Sequence, residues 1–294
     1  LVIGANVLEL VGHTPLVRIN KLNPYPVNIF AKLEGFNPSG SIKDRIALRM
    51  IEQAELDGTL TKDKVILEPS SGNTGIGIAM VGAVKGYKVV IVMSEGVSVE
   101  RRKILAAFGA DFALTPAVEG TDGAIRKAGE LVKGYPEKYF MPDQFRNAHN
   151  VLAHYEGTAK EIVDQLGDID VFVAGVGTSG TLMGVGSFLK SWKNVEVVAA
   201  VPVKGHKIQG LKNMSEAIVP EIYNPDVIDD FITVKDGDAF ETARLLAREE
   251  GIFVGMSSGA ALWAALEKAK LMKSGNIVVI FPDRGEKYLS AGLF

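Results

Sequence analysis

The chain has 294 residues, 47% hydrophobic and 23% charged, which excludes a disordered polymer and suits about two domains burying roughly 75% of their unfolded surface. Thirty-two Lys and Arg against thirty-five Asp and Glu leave a net charge of -3, which argues against a protein built to coat nucleic-acid phosphates. Absence of cysteine removes disulfides, Cys-ligated zinc, iron–sulfur clusters and cysteine nucleophiles, and His13, His149, His154 and His206 form no HExxH, so no dedicated metal site is expected.

In chain order, short β-branched runs alternate with helical patterns. A helix is predicted over 42–54, with Ile42, Ile46, Met50, Ile51 and Ala54 on one face. Next come a strand at 64–68, a helix at 75–85, a strand at 87–93, a helix at 98–108, a strand at 111–115 and a helix at 121–133. Residues 134–150, rich in Pro, Gly, Asp and Asn, read as a seam. Beyond it, helices are predicted at 148–166, 181–190, 238–250 and 259–273, and strands at 170–176, 195–201, 230–234 and 276–281. The strands are apolar on both faces, as in parallel sheets covered by helices. The expected fold class is α/β, with two doubly wound α/β domains and active-site residues between them. No charge-free apolar run approaches the ~18 residues of a membrane span, and LVIGANVLEL lacks the basic start of a signal peptide. A soluble, cytoplasmic protein is expected, with a few residues missing before Leu1 because no Met opens the chain.

Three loops rich in Gly and Ser carry the candidate chemistry: Ser70-Ser71-Gly72-Asn73-Thr74-Gly75, Gly177-Thr178-Ser179-Gly180-Thr181 and Gly255-Met256-Ser257-Ser258-Gly259. Each is expected where a strand hands over to a helix, where open α/β sheets bind ligands. Small residues admit a ligand to the backbone, and free N–H groups at a helix start attract anions. Any one alone reads as a tight turn with a Ser or Thr N-cap; three together favour a ligand. Two motifs mislead. Gly175 to Gly180 match GxGxxG, but the next strand ends Ala200-Val201-Pro202 without the acid that a dinucleotide ribose needs, so a smaller phosphate fits better. Residues 255–259 match GxSxG, yet every histidine precedes Ser257, against the residue order of α/β-hydrolases. In Asn37-Pro38-Ser39-Gly40-Ser41-Ile42-Lys43-Asp44-Arg45, Lys43 stands at a helix start, where the positive field lowers a lysine pKa and suits a Schiff base. A turn with Ser41 as N-cap and a solvated basic first turn reads the same segment as well. A carbonyl cofactor with one phosphate would join Lys43 to the 177–181 loop.

These motifs resemble the cysteine synthase (O-acetylserine sulfhydrylase) family of fold-type II pyridoxal-phosphate enzymes. The match holds one register from Gly12-His13-Thr14-Pro15-Leu16 through PSGSIKDR, SGNTG, Gln144-Phe145, GTSGT and SSGA to Pro282-Asp283-Arg284-Gly285-Glu286. The resemblance implies a tryptophan synthase β-like fold, with a smaller mobile domain at 35–145 and a larger one made of 1–34 and 146–294. It implies Lys43 as Schiff-base lysine and later α-proton base, with Asn73 on the pyridoxal 3′-oxygen. Gly177, Thr178, Ser179, Gly180 and Thr181 would hold the phosphate, and Ser257 the pyridine nitrogen. A neutral hydroxyl there makes the ring a weaker electron sink than an aspartate would, which favours β-elimination over transamination. Ser70, Ser71, Gly72, Asn73 and Thr74 would receive the substrate carboxylate, assisted by Gln144. The implied reaction is ping-pong β-replacement, in which an O-activated serine loses its α-proton and β-leaving group and a sulfur donor adds to give cysteine. Implied partners are a second copy in a homodimer and either a serine acetyltransferase or a sulfur-carrier protein; neither nucleic acid nor membrane is expected.

Departures bear on the substrate. Ser70 stands for a commoner Thr, Ser179 for the middle Gly of GTGGT, and Val201 for a Glu common before the corresponding Pro. The segment from Gly205 to Met214, followed by EAIVPEIYNP, is similar to a branch that includes O-phosphoserine users, and Lys212 is its candidate phosphate cation, a solvated surface lysine being the plainer alternative. Cystathionine β-synthase, with serine and homocysteine as substrates, shares the same core and is the nearest rival. A non-catalytic homologue that binds acyltransferase tails is another, opposed by the presence of Lys43, Asn73 and Ser257.

Overall fold

A computed structural model describes residues 3–70, 72–97 and 99–294. Its strands are β1 (Leu16–Ile19), β2 (Asn28–Leu33), β3 (Val65–Pro69), β4 (Val89–Ser94), β5 (Asp111–Thr115), β6 (Tyr139–Phe140), β7 (Val171–Gly175), β8 (Glu196–Pro202), β9 (Asp230–Val234) and β10 (Asn276–Phe281). The helices are α1 (Lys43–Leu56), α2 (Asn73–Lys85), α3 (Val99–Ala107), α4 (Gly120–Gly134), α5 (Ala148–Ala153), α6 (Ala159–Leu166), α7 (Gly180–Trp192), α8 (Asp236–Leu245) and α9 (Met256–Ala269). Contacts divide the chain into two compact units: the N-terminal segment to Val11 with Asn37–His149, and Gly12–Phe36 with Asn150–Phe294.

The first unit holds a four-stranded parallel sheet in the order β5-β4-β3-β6. Its Val- and Ile-rich strands fill both faces. Ile66 and Ile91 join Ala47, Ile51, Ile76 and Met80 of α1 and α2 in one core, while their neighbours Leu67 and Val92 meet Ala124 and Ala128 of α4 on the other side. Leu8 is buried in the first of these cores, so the opening segment packs here rather than with the C-terminal half.

The second unit holds a six-stranded sheet in the order β1-β2-β10-β7-β8-β9, parallel except for β1 against β2. Val171, Val173, Val198, Ile277 and Val279 bury one face against Ala260, Ala261, Ala264 and Ala265 of α9. Alternate positions such as Phe172 and Val197 are equally buried on the opposite face, where α7 packs.

Strands β1, β2 and β6 were not predicted. Of these, β2 carries Lys32, which is fully buried. Its Nζ donates to the Thr14 carbonyl at 2.6 Å, Glu161 Oε2 at 2.8 Å and Gln165 Oε1 at 2.9 Å, which ties β2 to α6. The other oxygen of Glu161 accepts the N–H of His13 at 2.9 Å, a residue with φ of 49°.

Two helices expected to be continuous each contain a π turn, His154–Thr158 within 148–166 and Leu246–Glu250 within 238–250. The third loop is not preceded by a strand as expected. The chain leaves the second π turn through Gly251 and reaches α9 with only an isolated antiparallel bridge between Val254 and Arg284. Among the described residues, no helix is long and apolar enough to cross a membrane, and no cluster of His, Asp or Glu could hold a metal.

Candidate active site

In the first unit, β3 ends at Pro69 and the chain winds around the buried hydroxyl of Ser70. Its Oγ accepts the N–H of Gly75 at 3.0 Å and of Gly72 at 3.3 Å. The plainer reading of this loop, a Ser or Thr at the N-cap, does not hold: the N-cap of α2 is Gly72, with no side-chain cap hydrogen bond among the described residues. A helix cannot satisfy its own first-turn N–H groups; Ser70 takes that of Gly75, and such a helix start suits an anion. Ser71 lies outside the described residues.

Thr74, buried in that first turn, donates its hydroxyl to Gln144 Oε1 at 2.6 Å. Gln144 is held from behind by Glu68, the fourth residue of β3. The two carboxyl oxygens of Glu68 accept the N–H of Asp143 at 3.0 Å and of Gln144 at 3.3 Å. Glu68 is wholly buried, and burial foremost, with the charge of Asp143 second, pushes its pKa up to about 8. Sequence reading missed this residue, because a single acid at a strand end carries no local signal.

Lys43 is half-buried and opens α1. The N-cap is Ile42, not the expected Ser41, although the Ser41 hydroxyl still accepts the Lys43 N–H at 3.3 Å. Buried Asp44 braces the preceding turn, accepting the Ser39 N–H at 2.6 Å and also the Ser39 hydroxyl. Helices α1 and α2 meet at Gly77, where a Cβ would stand 3.2 Å from the Lys43 carbonyl. That contact lies one turn beyond Asn73. Lys43, Ser70, Gly72, Asn73, Thr74 and Gln144 are therefore gathered in this unit.

In the second unit, β7 ends at Gly175 and Ser179 is the N-cap of α7. Ser179 has φ of 74°, the left-handed region, at a cost on the order of 1 kcal/mol that glycine avoids. Its Oγ is buried and makes no hydrogen bond among the described residues. The segment after β8 folds back over this loop. Leu211 packs where a Gly175 Cβ would be, the Gly210 carbonyl lies 2.8 Å from the place of a Gly177 Cβ, and the Lys212 N–H donates to the Val176 carbonyl at 2.7 Å. Gly210 itself has φ of 93° and stands beside Ser257, whose Oγ is 3.8 Å from the place of a Gly210 Cβ. Loop 177–181, Lys212 and Ser257 are thus gathered around Gly210.

Ser257 is nine-tenths buried in the first turn of α9. The entrance to that helix is set by Asp283 and Tyr288, whose side chains crowd the bare Cα of Gly255 and share a hydrogen bond of 2.6 Å. Neither was assigned a role from sequence.

A model of the family described as pyridoxal-phosphate dependent enzyme matches residues 7–283. The chain belongs to this pyridoxal-phosphate dependent family. It is 49% identical over 299 residues to a cysteine synthase of Aquifex aeolicus (strain VF5), an alignment that covers 98% of this chain and 91% of that protein. Among solved structures, a hydrogen sulfide-producing enzyme from Fusobacterium nucleatum matches with a TM-score of 0.93 at 44% identity, over 98% of this chain and all of that one. A cysteine synthase from Entamoeba histolytica matches with the same TM-score at 40% identity, over 99% and 91%. The family, its α/β fold and its cofactor accord with the resemblance drawn from the motifs.

Proposed function

We propose that this enzyme is a cysteine synthase, replacing the β-substituent of an O-activated L-serine with a sulfur nucleophile. The observation that carries this reading is the packing of the Lys43 end of α1 against α2, one turn from the Ser70–Thr74–Gln144 cradle. One lysine and one anion seat on the same pair of helices supply both the base and the carboxylate anchor that an amino-acid substrate requires.

The residues present fit pyridoxal phosphate. Loop 177–181 offers a helix start, glycines at 177 and 180 that leave no room for a Cβ, and the buried hydroxyl of Ser179, unpartnered among the described residues, the donor set of a phosphate seat. Ser257 offers a neutral hydroxyl to a ring nitrogen, and Lys43 an amine to an aldehyde. The cofactor, once bound, supplies an electron sink for the substrate Cα. In this reading Lys43 Nζ takes the α-proton, and Asn73 holds the ring oxygen. The first turn of α2, with Thr74 and Gln144, fixes the substrate carboxylate so that the Cα–H faces the base. The leaving group is acetate or phosphate, and Lys212 is the candidate cation for phosphate. A homodimer in the cytoplasm is the assembly and location this reading favours.

The test is a visible spectrum of the holoenzyme, titrated separately with O-acetylserine and O-phosphoserine and then given sulfide. The expected result is a shifted band with one donor and L-cysteine on adding sulfide. A protein that takes up no pyridoxal phosphate, or a band inert to both donors but responsive to serine with homocysteine, would overturn the proposal.

A further inference from the structure

Asn150 and His154 lie four residues apart, one in α5 and the other opening the π turn that follows, and both are fully buried. The Asn150 Nδ2 donates to Thr178 Oγ at 3.0 Å. The His154 Nε2 lies 3.3 Å from Thr181 Oγ, and its Nδ1 lies 3.0 Å from the buried Thr158 Oγ. Loop 177–181 is built around these two side chains. A Cβ on Gly180 would run into the Asn150 amide, and one on Gly184, a turn beyond Thr181 in α7, would stand 2.7 Å from His154 Cβ. The π turn sets the ring at this crossing; such turns recur at functional sites.

A threonine hydroxyl has one proton and two lone pairs. Because Asn150 uses a lone pair of Thr178, the Thr178 proton is left for another acceptor. The same holds at Thr181 if His154 carries its proton on Nε2, with Nδ1 accepting from Thr158. The other tautomer would reverse both bonds and turn the Thr181 proton away from the loop. We propose that Asn150 and His154 are positioning residues that hold Thr178 and Thr181 as donors toward the phosphate of the cofactor, with His154 protonated at Nε2. The inference rests on the reading of loop 177–181 as the phosphate seat. It adds an outer layer that decides which way the loop hydroxyls point.

The test compares binding of pyridoxal phosphate and of pyridoxal, which lacks the phosphate, to the full-length apoenzyme. His154→Phe should weaken pyridoxal phosphate about tenfold and leave pyridoxal unchanged, the size of one hydrogen bond to an anion. His154→Gln, which keeps an N–H near the Nε2 position, should restore most of that loss. Asn150→Asp, able only to accept from Thr178, should weaken the phosphorylated cofactor more than His154→Phe does. Nitrogen-15 spectra of the wild-type protein should show His154 as the Nε2–H tautomer, a readout that needs no variant to fold. Equal losses for both ligands, no loss, or the Nδ1–H tautomer would overturn the proposal. Thr181→Val separates the layers: if it leaves the preference for the phosphorylated ligand intact, the phosphate seat itself is misplaced, whereas its effect without one from His154→Phe removes only the positioning role.

Discussion

Thr74 donates to the Gln144 side chain at 2.6 Å, and Glu68 accepts the Gln144 N–H at 3.3 Å from below. The residue assigned to the substrate carboxylate is thereby held by a hydroxyl on one side and a wholly buried carboxyl on the other. That carboxyl has a pKa raised to about 8 from 4.5, so the folded chain holds a proton that the unfolded chain releases between those values. The associated stability is complete below the lower value and is lost as pH rises through the upper one, at up to about 1.4 kcal/mol per pH unit. Glu68→Gln should therefore flatten the fall in thermal midpoint from about pH 5 to about pH 8. Calorimetry of both proteins across that range checks it; parallel profiles would exclude Glu68 as the titrating group.

Lys43→Ala should keep the fold and lose turnover by at least about a thousandfold, because base and covalent anchor go together. Circular dichroism and single-turnover β-elimination measure the two. Near-wild-type elimination by a folded variant would remove Lys43 from the chemistry.

Lys32 has no exposed side-chain surface, whereas Glu161 retains 14%. Removing Glu161 leaves an ammonium that cannot reach water, and Glu161→Ala should cost about 3 kcal/mol. Lys32→Met leaves a carboxylate able to turn outward and a thioether that fills the same space, so its cost should be roughly 1 kcal/mol. Urea unfolding of the two variants gives the order; a larger loss for Lys32→Met would contradict the assigned asymmetry.

Lys212 lies in a segment pinned by its own N–H to Val176, beside the 177–181 loop. If it serves a phosphate leaving group, Lys212→Ala should raise KM for O-phosphoserine about tenfold and leave O-acetylserine unaffected, as for a lost charge-assisted bond. Steady-state assays with both donors decide; equal effects would end that role.

Much of this was legible in advance, for identifiable reasons. The runs at 64–68, 87–93 and 276–281 are apolar on both faces, so their sheets could be read without knowing their neighbours. Strand β2 could not: Lys32 looks like a surface residue until Glu161, 129 positions later, is folded beside it. The Gly- and Ser-rich loops carry their own signal, while Glu68, Asn150 and His154 act only through groups that the fold brings to them. Ser179 is a case between. Its replacement of a glycine was visible, but its φ of 74° shows what the glycine would have spared. Nothing in the structure explains Val201.

The position of β10 has a consequence for how the chain is made. It lies between β2 and β7, yet among the described residues it is the last strand in sequence. On the ribosome, Asn28 of β2 precedes Asn276, its partner in the parallel neighbour, by 248 positions. The first unit, by contrast, has all four of its strands by residue 140. Assembly is therefore staggered: the strands around Lys43 are all made before the sheet that carries loop 177–181 receives its central strand.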